Sequence, residues 1–455
     1  MDRILGAAYR AWKNGEEFRQ RRRRLKNFTY GRQWEDMVTD PATGRTMTER
    51  AMAVRETGRQ PITNNLIRRL VKTVIGRFRS EHAGKEPPEN LKKVYERNRL
   101  TELDCRLLEE FLISGCAVQR VSRECRERGK IETFVDNVSP DNFFVSDMRD
   151  TRGWDIMLAG ELHDMSISEV IMKFAHGNRE KAEELRKVYS SAIPDRQRRL
   201  QLGSPAGINE FFESPTGRCR VIEVWTLESH ERLRCHDRER GIYYETGVKE
   251  TELPEGTESR WEIVTEWHCR YYAPDGTLLD SYRRRARDGG HPYVLKLYPL
   301  TDGEVHSFVE DIVGQQQQIN RLTTLIDHIL STSAKGTLLF PVRSKPESIS
   351  WDEIAQRWAI TGSIIPYNAS PGMAEPKQVT SSGLDAGASK LLEFQMKMID
   401  EVSGVGDLLL GRNVTGNVSA ERYESQINNA SSALTDILGA FADLLEQRDK
   451  KAAAF

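Results

Sequence analysis

Two adjacent cysteine–histidine pairs are the residues of this sequence whose types could bind a metal ion. They are Cys235-His236 and His268-Cys269, and together they offer the thiolate and imidazole ligands of a Cys2His2 zinc site. Their spacing argues against that chemistry, because the CxxC and HxxxH intervals are missing and adjacent residues on a strand point to opposite faces. The sequence therefore predicts no metal ion and no other cofactor.

Acidic pairs and phosphate-binding motifs give no stronger indication of catalysis. Glu310-Asp311 and Asp352-Glu353 are adjacent in predicted helices, where neighbouring side chains diverge, so solvated helix faces explain them better than a two-metal nuclease. The sequence contains no glycine-rich loop of the GxxxxGKS or GxxxxGKT type, since Lys335-Gly336-Thr337 lacks the required spacing. We therefore predict that the chain is not an enzyme.

Length and composition favour a large, polar protein of two or three modules. The chain has 455 residues, of which 30% are charged and 38% hydrophobic, and its mean hydropathy is −0.59. No apolar run approaches the roughly 18 residues that span a membrane, and the first residues do not resemble a signal peptide. Six cysteines without a disulfide framework indicate a reducing cytoplasm.

The net charge of the chain is near zero, but its first 100 residues are strongly basic. Residues 1–100 contain 24 Lys and Arg against 12 Asp and Glu, a net charge of +12, so the remainder carries −13 to give the total of −1. The basic run comprises Arg19, Arg21, Arg22, Arg23 and Arg24. It is interpreted either as a solvated helix end or salt bridges between subunits, or as contact with DNA phosphates. A nucleic-acid-binding module that uses this region is therefore kept as an alternative.

Hydrophobic periodicity predicts an α+β fold. Helices are expected over 1–28, after a cap at Asn64 or Asn65, over 91–117 and from Ser166. The period changes to that of strands from about residue 117, and antiparallel strands with a Pro274-Asp275-Gly276 hairpin turn are expected between about 218 and 298. Residues 177–209 are charged and contain few apolar residues, which favours a linker or arm.

The stretch from Asp302 to Gly411 has the organisation of a rod with a tip. Apolar residues from Val305 to Leu330 follow one helix face, so about 30 residues of helix, some 45 Å long, are predicted. A short strand over 336–340, a return helix over 351–358, a loop over 361–383 and a helix over 384–402 follow. The strand would leave an exposed edge in a monomer unless a neighbouring subunit pairs with it.

The C-terminal part predicts a helix that starts near Ser419 and has a coiled-coil-like seam. Its apolar positions alternate steps of four and three residues, and they include Tyr423, Ile427, Leu434 and Phe441. Such a seam is expected to pack on a neighbour, either in its own chain or in the next subunit.

A series of short sequence blocks in a fixed order covers nearly the whole chain. The blocks are Tyr30-Gly31-Arg32-Gln33-Trp34, Pro61-Ile62-Thr63-Asn64-Asn65, Ile75-Gly76-Arg77-Phe78-Arg79, Val138-Ser139-Pro140-Asp141-Asn142-Phe143-Phe144, His291-Pro292-Tyr293, Gln315-Gln316-Gln317-Gln318-Ile319-Asn320, Gly404-Val405-Gly406 and Ser419-Ala420-Glu421. In these blocks the chain resembles the podovirus-type portal proteins of tailed bacteriophages, the head-to-tail connectors of the capsid. A different structural head–tail connector is the nearest alternative.

The resemblance implies a portal fold with wing, stem, clip and crown regions. Carried onto this sequence, the regions are a wing over 1–303, a stem helix over 304–334, a clip over 335–350, a returning stem helix over 351–360, a tunnel loop over 361–383, a wing helix over 384–417 and a crown helix over 418–455. The antiparallel strands at about 218–298 would belong to the wing.

The resemblance also implies what the protein does and where it works. A dodecameric ring at one capsid vertex would form the channel for packaging and ejection of double-stranded DNA, and would dock terminase and then the head–tail adaptor. Major capsid protein and scaffold are further implied partners, with the host cytoplasm as the place of assembly and the virion as the final location. A separate ATP-driven motor would move the DNA, because this sequence has no nucleotide-binding motif.

Candidate site residues follow from the same scheme. The net charge of 301–383 is −3, from nine acidic and six basic residues, which suits a weakly repulsive channel lining. Tunnel-loop candidates for DNA contact are Ser363, Asn368, Ser370 and Lys377. Clip candidates for contact with terminase or adaptor are Lys335, Arg343, Lys345 and Glu347. Contact of the three basic residues with DNA phosphates is an equal alternative. Subunit-interface candidates are Leu338, Phe340, Tyr423, Ile427, Leu434 and Phe441.

Overall fold

A computed structural model describes residues 2–127, 130–201, 210–214, 217–237, 241–246, 257–285, 290–333, 337–360, 362–369, 372, 374–379, 386–405 and 432–454. The helices are α1 Arg3–Asn14, α2 Glu16–Thr29, α3 Glu49–Thr57, α4 Leu66–His82, α5 Lys92–Asn98, α6 Leu100–Ser114, α7 Ile167–Phe174, α8 Arg179–Gln201, α9 Phe308–Ser333, α10 Trp351–Ala359, α11 Ala386–Ser403 and α12 Ser432–Ala453. Single 3-10 turns lie at Glu89–Leu91 and Val342–Ser344.

Strands alternate with these helices along the chain. They are β1 Met37–Thr39, β2 Thr46–Thr48, β3 Cys116–Glu127, β4 Lys130–Asn137, β5 Phe143–Val145, β6 Leu158–Met165, β7 Cys219–Asp237, β8 Ile242–Thr246, β9 Thr257–Tyr272, β10 Leu278–Arg285, β11 Tyr293–Leu297, β12 Pro299–Thr301, β13 Glu304–Val305, β14 Thr337–Leu339 and β15 Lys377–Val379. Every pairing between them is antiparallel. The fold is therefore α+β, as the sequence predicts.

The chain divides into two compact units. The larger unit contains Met1–Arg23, Ile75–Ser307 and Thr435–Phe455, and the smaller unit contains Arg24–Val74 and Phe308–Leu434. Among the helices described above, none is long and apolar enough to cross a membrane.

The larger unit is built on a six-stranded antiparallel sheet. Its strands lie in the order β10-β9-β7-β6-β5, and β8 pairs with the far end of β7. The register places Ile222 of β7 opposite Leu162 of β6 and Tyr272 of β9. Successive residues of a strand point to opposite faces, so this register assigns each apolar side chain to one of two cores.

Each face of this sheet packs against helices. On one face, Val221 and Trp225 join a core with Val170 and Phe174 of α7 and with the inner strands of a second sheet, β11-β3-β4. On the other face, Ile222 and Val224 join Leu5, Ala8 and Trp12 of α1. This part of β7 is buried on both faces, which explains its nearly continuous apolar run over 221–225.

Two predictions for this unit are wrong in detail. The segment read as a linker or arm over 177–209 contains helix α8, because Leu185 and Tyr189 lie on one face and are buried in the core of the sheet. Strand β6 was not predicted. The helix expected over 1–28 is divided into α1 and α2 at Gly15, whereas the Ser166 capping box is confirmed.

Aromatic and ionic contacts hold the C-terminal helix α12 in the larger unit. The Phe441 ring centroid lies 5.5 Å from Phe78 and 5.7 Å from Phe111, and Phe441 has no exposed surface. Arg448 is also buried, and its Nη1 donates to Asp104 Oδ1 at 2.6 Å. Its own chain therefore covers Phe441, and Leu434 is likewise only 2% exposed. The subunit-interface role of these two residues stays a prediction.

The Arg448–Asp104 contact predicts a large effect of removing one charge. In Asp104→Asn, the Arg448 guanidinium loses its buried counter-ion, and we expect the free energy of unfolding to fall by about 3 kcal/mol. The measurement is urea denaturation of the full chain. Glu446→Gln is the matched control, because the Glu446–Lys450 pair on the same helix is exposed and should contribute nothing measurable. Equal effects of the two substitutions would contradict the account.

A polar cluster on the long strands makes the larger unit sensitive to acid. Glu228 accepts hydrogen bonds from Arg270 at 2.7 Å and Thr226 at 2.8 Å, and it lies 3.1 Å from the His268 ring. Burial alone would raise the pKa of Glu228, but these hydrogen bonds outweigh it and lower the pKa to about 2 from 4.5.

This shift predicts a defined pH window. Because the folded-state pKa of Glu228 lies below the unfolded value, its contribution to stability is complete above about pH 4.5 and is lost as the pH falls towards 2. We expect the denaturation midpoint of the unsubstituted chain to fall more steeply across this window than that of Glu228→Gln. Parallel pH profiles for the two proteins would show that Glu228 is not the group responsible.

The smaller unit contains a β1–β2 hairpin, the first part of α4, and helices α9, α10 and α11. The predicted cap is confirmed at Asn65, whose Oδ1 accepts from the Arg68 N–H at 3.1 Å. Strands β14 and β15 pair with each other and form a second, separate ribbon.

Candidate functional site

Helix α9 is the longest described element of the smaller unit. It begins at Phe308 rather than near Glu304, because β12 and β13 form a tight hairpin around Asp302-Gly303, where Gly303 has a φ of +87°. Glu310 and Asp311 lie in its first turn and favour the helix dipole. The predicted long helix is confirmed with this later start.

A stripe of polar residues runs along the buried side of α9. Gln316, Asn320 and Thr324 are spaced by four residues, so they lie one above the other on one face. They are 0%, 2% and 8% exposed, respectively. Buried polar side chains in such a row are costly unless each one has hydrogen-bond partners.

The partners are backbone groups of the extended segment 61–65 and of the first turn of α4. Thr324 Oγ1 accepts from the Ile62 N–H at 3.0 Å, and Asn320 Oδ1 accepts from the Asn64 N–H at 3.0 Å. Gln316 Oε1 accepts from the Leu66 N–H at 2.9 Å, and its Nε2 donates to the Asn64 carbonyl at 2.6 Å. We call these three side chains and their contacts the polar ladder.

The polar ladder also fixes the loop before α3. Asn320 Nδ2 donates to Gln33 Oε1 at 2.6 Å, and Gln33 Nε2 donates to the Phe28 carbonyl at 2.7 Å. Trp34 Nε1 donates to Thr63 Oγ1 at 3.1 Å. Three of the sequence blocks, at 30–34, 61–65 and 315–320, therefore meet at one place.

A compact ribbon and loop follow α9. Register pairs Leu338 of β14 with Gln378 of β15. The strand predicted over 336–340 is confirmed over Thr337–Leu339, and its own chain supplies a partner for one edge, β15, which the sequence did not indicate. Ser344 is buried, donates from Oγ to the Ala374 carbonyl at 2.8 Å and accepts from the Asn368 N–H at 2.9 Å.

The predicted clip residues lie around this ribbon. Arg343 and Glu347 are exposed. Lys345 is half-buried, with its Nζ 5.8 Å from the Trp351 ring centroid and 3.3 Å from the Pro346 carbonyl. Phe340 packs edge-on against Trp351, the first residue of α10, at 6.0 Å. Leu338 is partly exposed.

Three of the four predicted tunnel-loop residues are described by the structure, and all three are exposed. Ser363 donates to the Arg357 carbonyl, Asn368 Nδ2 donates to the Lys345 carbonyl at 3.3 Å, and Lys377 lies on β15 opposite Leu339. Four other predicted site residues lie outside the described residues: Lys335, Ser370, Tyr423 and Ile427.

The basic run on α2 is used within the chain. Arg22 forms a bidentate pair with Glu110, at 2.6 and 2.8 Å. Arg23 binds Glu210 at 2.7 Å, and Arg24 binds Asp36 at 2.8 Å. These ion pairs favour a structural role over the DNA-binding module that the sequence left open, because three of the five charges of the run are already compensated.

The two cysteine–histidine pairs are not brought together. Cys235 lies opposite Ser259, whereas Cys269 lies opposite Trp225. Trp225 and Cys235 are ten residues apart on β7, which is about 33 Å along a strand. Within the described part of the chain, no group of three or more His, Cys, Asp or Glu residues is placed to hold a metal ion.

Sequence reasoning singled out Gln316 and Asn320 only as parts of a motif and missed what they do. Their spacing of four residues on a helix with few charges is the signal that could have indicated a buried polar stripe. The segment that they bind is extended and contains Pro61, so its backbone donors need partners from outside the segment.

Removing Gln316 tests the polar ladder. In Gln316→Met, the Leu66 and Ile67 N–H groups and the Asn64 carbonyl lose their side-chain partner, and we expect a loss of about 3 kcal/mol or more in the free energy of unfolding. The neighbouring Gln318→Met is the matched control, because Gln318 is exposed on the same helix. Chemical denaturation measures both, and indistinguishable midpoints would argue against the ladder.

The chain matches the model of a known protein family. The family model described as Phage P22-like portal protein matches residues 89–451, which is most of the chain. A search of curated proteins found no match. Portal proteins are structural components of the phage virion that connect head and tail. The chain belongs to the P22-like phage portal protein family.

Proposed function

We propose that copies of this chain assemble into a dodecameric ring at one capsid vertex, which forms the channel for DNA packaging and ejection. The observation that supports this most is the continuous order of a 26-residue helix, a compact ribbon and a short return helix in α9, β14 and α10. Repeated around an axis, such helices can form a channel wall, and head-to-tail contacts between identical subunits close a ring.

In this proposal the regions keep the boundaries that the family resemblance implies. They are the wing at 1–303, the stem helix at 304–334, the clip at 335–350, the returning helix at 351–360, the tunnel loop at 361–383, the wing helix at 384–417 and the crown at 418–455. The hairpin Pro299–Val305, which precedes the start of α9 at Phe308, suggests that the stem begins slightly later.

A channel for a sliding duplex should not bind phosphates tightly, because tight electrostatic contacts hold DNA in place. Residues 337–379 contain four basic and four acidic side chains, so their net charge is zero. We propose that the exposed Ser363, Asn368 and Lys377 face the DNA, with Ser370 completing the polar lining. The DNA itself would be moved by a separate motor.

Exposed apolar residues near the ribbon support contacts between subunits. Leu339 is 56% exposed, Val342 77% and Ile364 83%, and exposed apolar side chains that lie close together are typical of protein–protein interfaces. We propose that Leu338 and Phe340 contribute to this interface. The neighbouring Arg343 and Glu347, with Lys345 and Lys335, would then be available to terminase and later to the head–tail adaptor.

The first test is the assembly state of the purified chain. Mass photometry and negative-stain electron microscopy are expected to show a ring with a central hole and the mass of a dodecamer. Should the protein instead remain a compact monomer that binds duplex DNA tightly and with a steep salt dependence, the portal channel would be the wrong function.

A charge reversal tests the proposed docking role of the clip. Arg343→Glu should leave ring assembly intact and weaken binding of the cognate terminase by about tenfold or more, as expected for a lost ion pair at an interface. Arg152→Glu, a substitution at an exposed residue of the larger unit, serves as the control. Unchanged terminase binding by Arg343→Glu rings would remove Arg343 from the docking site.

A further inference from the structure

A cavity of about 390 Å³ lies within the larger unit, and the proposed function gives it no role. It is lined by α1 and α2, by the segment 140–149, by β11 and by the β12–β13 hairpin. Its apolar wall contains Phe18, Phe143, Val145, Leu295 and Leu297. A cavity of this size and composition can take a small ligand or one or two side chains.

One wall of the cavity contains a buried cation, Arg19. This residue is 4% exposed, and its guanidinium lies 3.7 Å from the Trp12 ring centroid. Its Nη1 donates to the Trp12 carbonyl at 2.6 Å, while the buried Nη2 has no hydrogen-bond partner. No carboxylate among the described residues forms an ion pair with Arg19, in contrast to Arg22, Arg23 and Arg24.

The surroundings of Arg19 show that burying its charge is unfavourable. Burial lowers the pKa of Arg19 to about 10, and the nearby Asp141 only partly offsets it. A Cβ on Gly15 would lie 3.0 Å from Arg19 Nη1, so the glycine that separates α1 and α2 also gives the guanidinium its space. A buried charge without an ion pair is costly, and a group perturbed by burial in a cleft is a candidate for a ligand site.

The charges around the cavity restrict what that ligand can be. Arg21 and Arg149 line it together with Asp147, Asp302 and Glu304. With Arg19 included, three cations face three carboxylates, so the formal charge of the lining is zero. A polyanion such as a nucleic-acid backbone would be repelled by the three carboxylates, whereas a single anionic group with an apolar body would match both Arg19 and the aromatic wall.

We propose that this cavity binds a carboxylate attached to an apolar body, with the carboxylate next to Arg19 and the apolar part against Phe143 and Leu297. Two sources share this chemistry: a free carboxylic acid, and a peptide segment in which an acidic residue adjoins a bulky apolar one. The proposal does not depend on ring formation, so it can fail or hold independently of the proposed function.

Isothermal titration calorimetry of the full chain with 3-phenylpropionate tests the site. We expect saturable binding of one equivalent of 3-phenylpropionate per chain. The neutral 3-phenylpropanamide should bind at least about tenfold more weakly, because its contact with Arg19 is lost. Inorganic phosphate, which lacks the apolar body, should not compete. Equal binding of acid and amide, or competition by phosphate, would overturn the proposal.

Two substitutions of residues that line the cavity test whether the ligand binds there. Arg19→Gln removes the cation, and Val145→Phe fills the cavity while leaving Arg19 in place; each should weaken binding of 3-phenylpropionate by about tenfold or more. The control is Arg10→Gln, an exposed arginine on α1, which should bind like the unsubstituted chain. If Arg19→Gln fails to fold, Val145→Phe still decides, and undiminished binding by it would place the site elsewhere.

A blocked dipeptide, N-acetyl-Asp-Phe-amide, separates the two sources. Tighter binding of the dipeptide than of 3-phenylpropionate, with the same loss in Val145→Phe, would identify a peptide segment as the ligand class. Binding of the free acid alone would identify a small carboxylic acid. The absence of binding by both probes at millimolar concentration would contradict the site.

Discussion

Helix α9 is held in the smaller unit by side chains that act as hydrogen-bond partners for another segment's backbone. Residues 61–65 run extended past this helix and lead into the first turn of α4, and their N–H and C=O groups cannot be left unpaired when buried. Gln316, Asn320 and Thr324 supply those partners. The same contacts cap the start of α4 and, through Gln33, fix the loop that contains Trp34.

This constraint explains why the exposed region beyond α9 can be small and polar. A helix that is fixed at its buried side can present a short ribbon without a large core beneath it. Ser344 and the Phe340–Trp351 contact then order the segment between β14 and α10. The apolar residues left exposed there form the proposed contact surface between subunits.

Much of the fold follows from periodicity in the sequence, and what does not follow depends on partners distant in the chain. The apolar face of α9 buries side chains at regular helical spacing, and the Pro274-Asp275-Gly276 turn joins β9 to β10, so these elements were predictable. Helix α8 was missed because Leu185 and Tyr189 gain their burial from a sheet that follows them in sequence. Similarly, β14 was expected to lack a partner because β15 lies about 40 residues later, in a segment whose composition favours a loop. The role of the basic run was also open, because Glu110, Asp141 and Glu210 are brought to it only by folding.

Hydrogen exchange at the backbone amides of Ile62, Asn64, Leu66 and Ile67 tests the polar ladder most directly. None of these N–H groups donates to a regular helix or strand partner, yet each donates to a side chain of α9. The account predicts that they exchange as slowly as amides in the middle of α4. Exchange as fast as that of first-turn helical amides, which ordinarily lack partners, would show that the ladder does not hold this segment in solution.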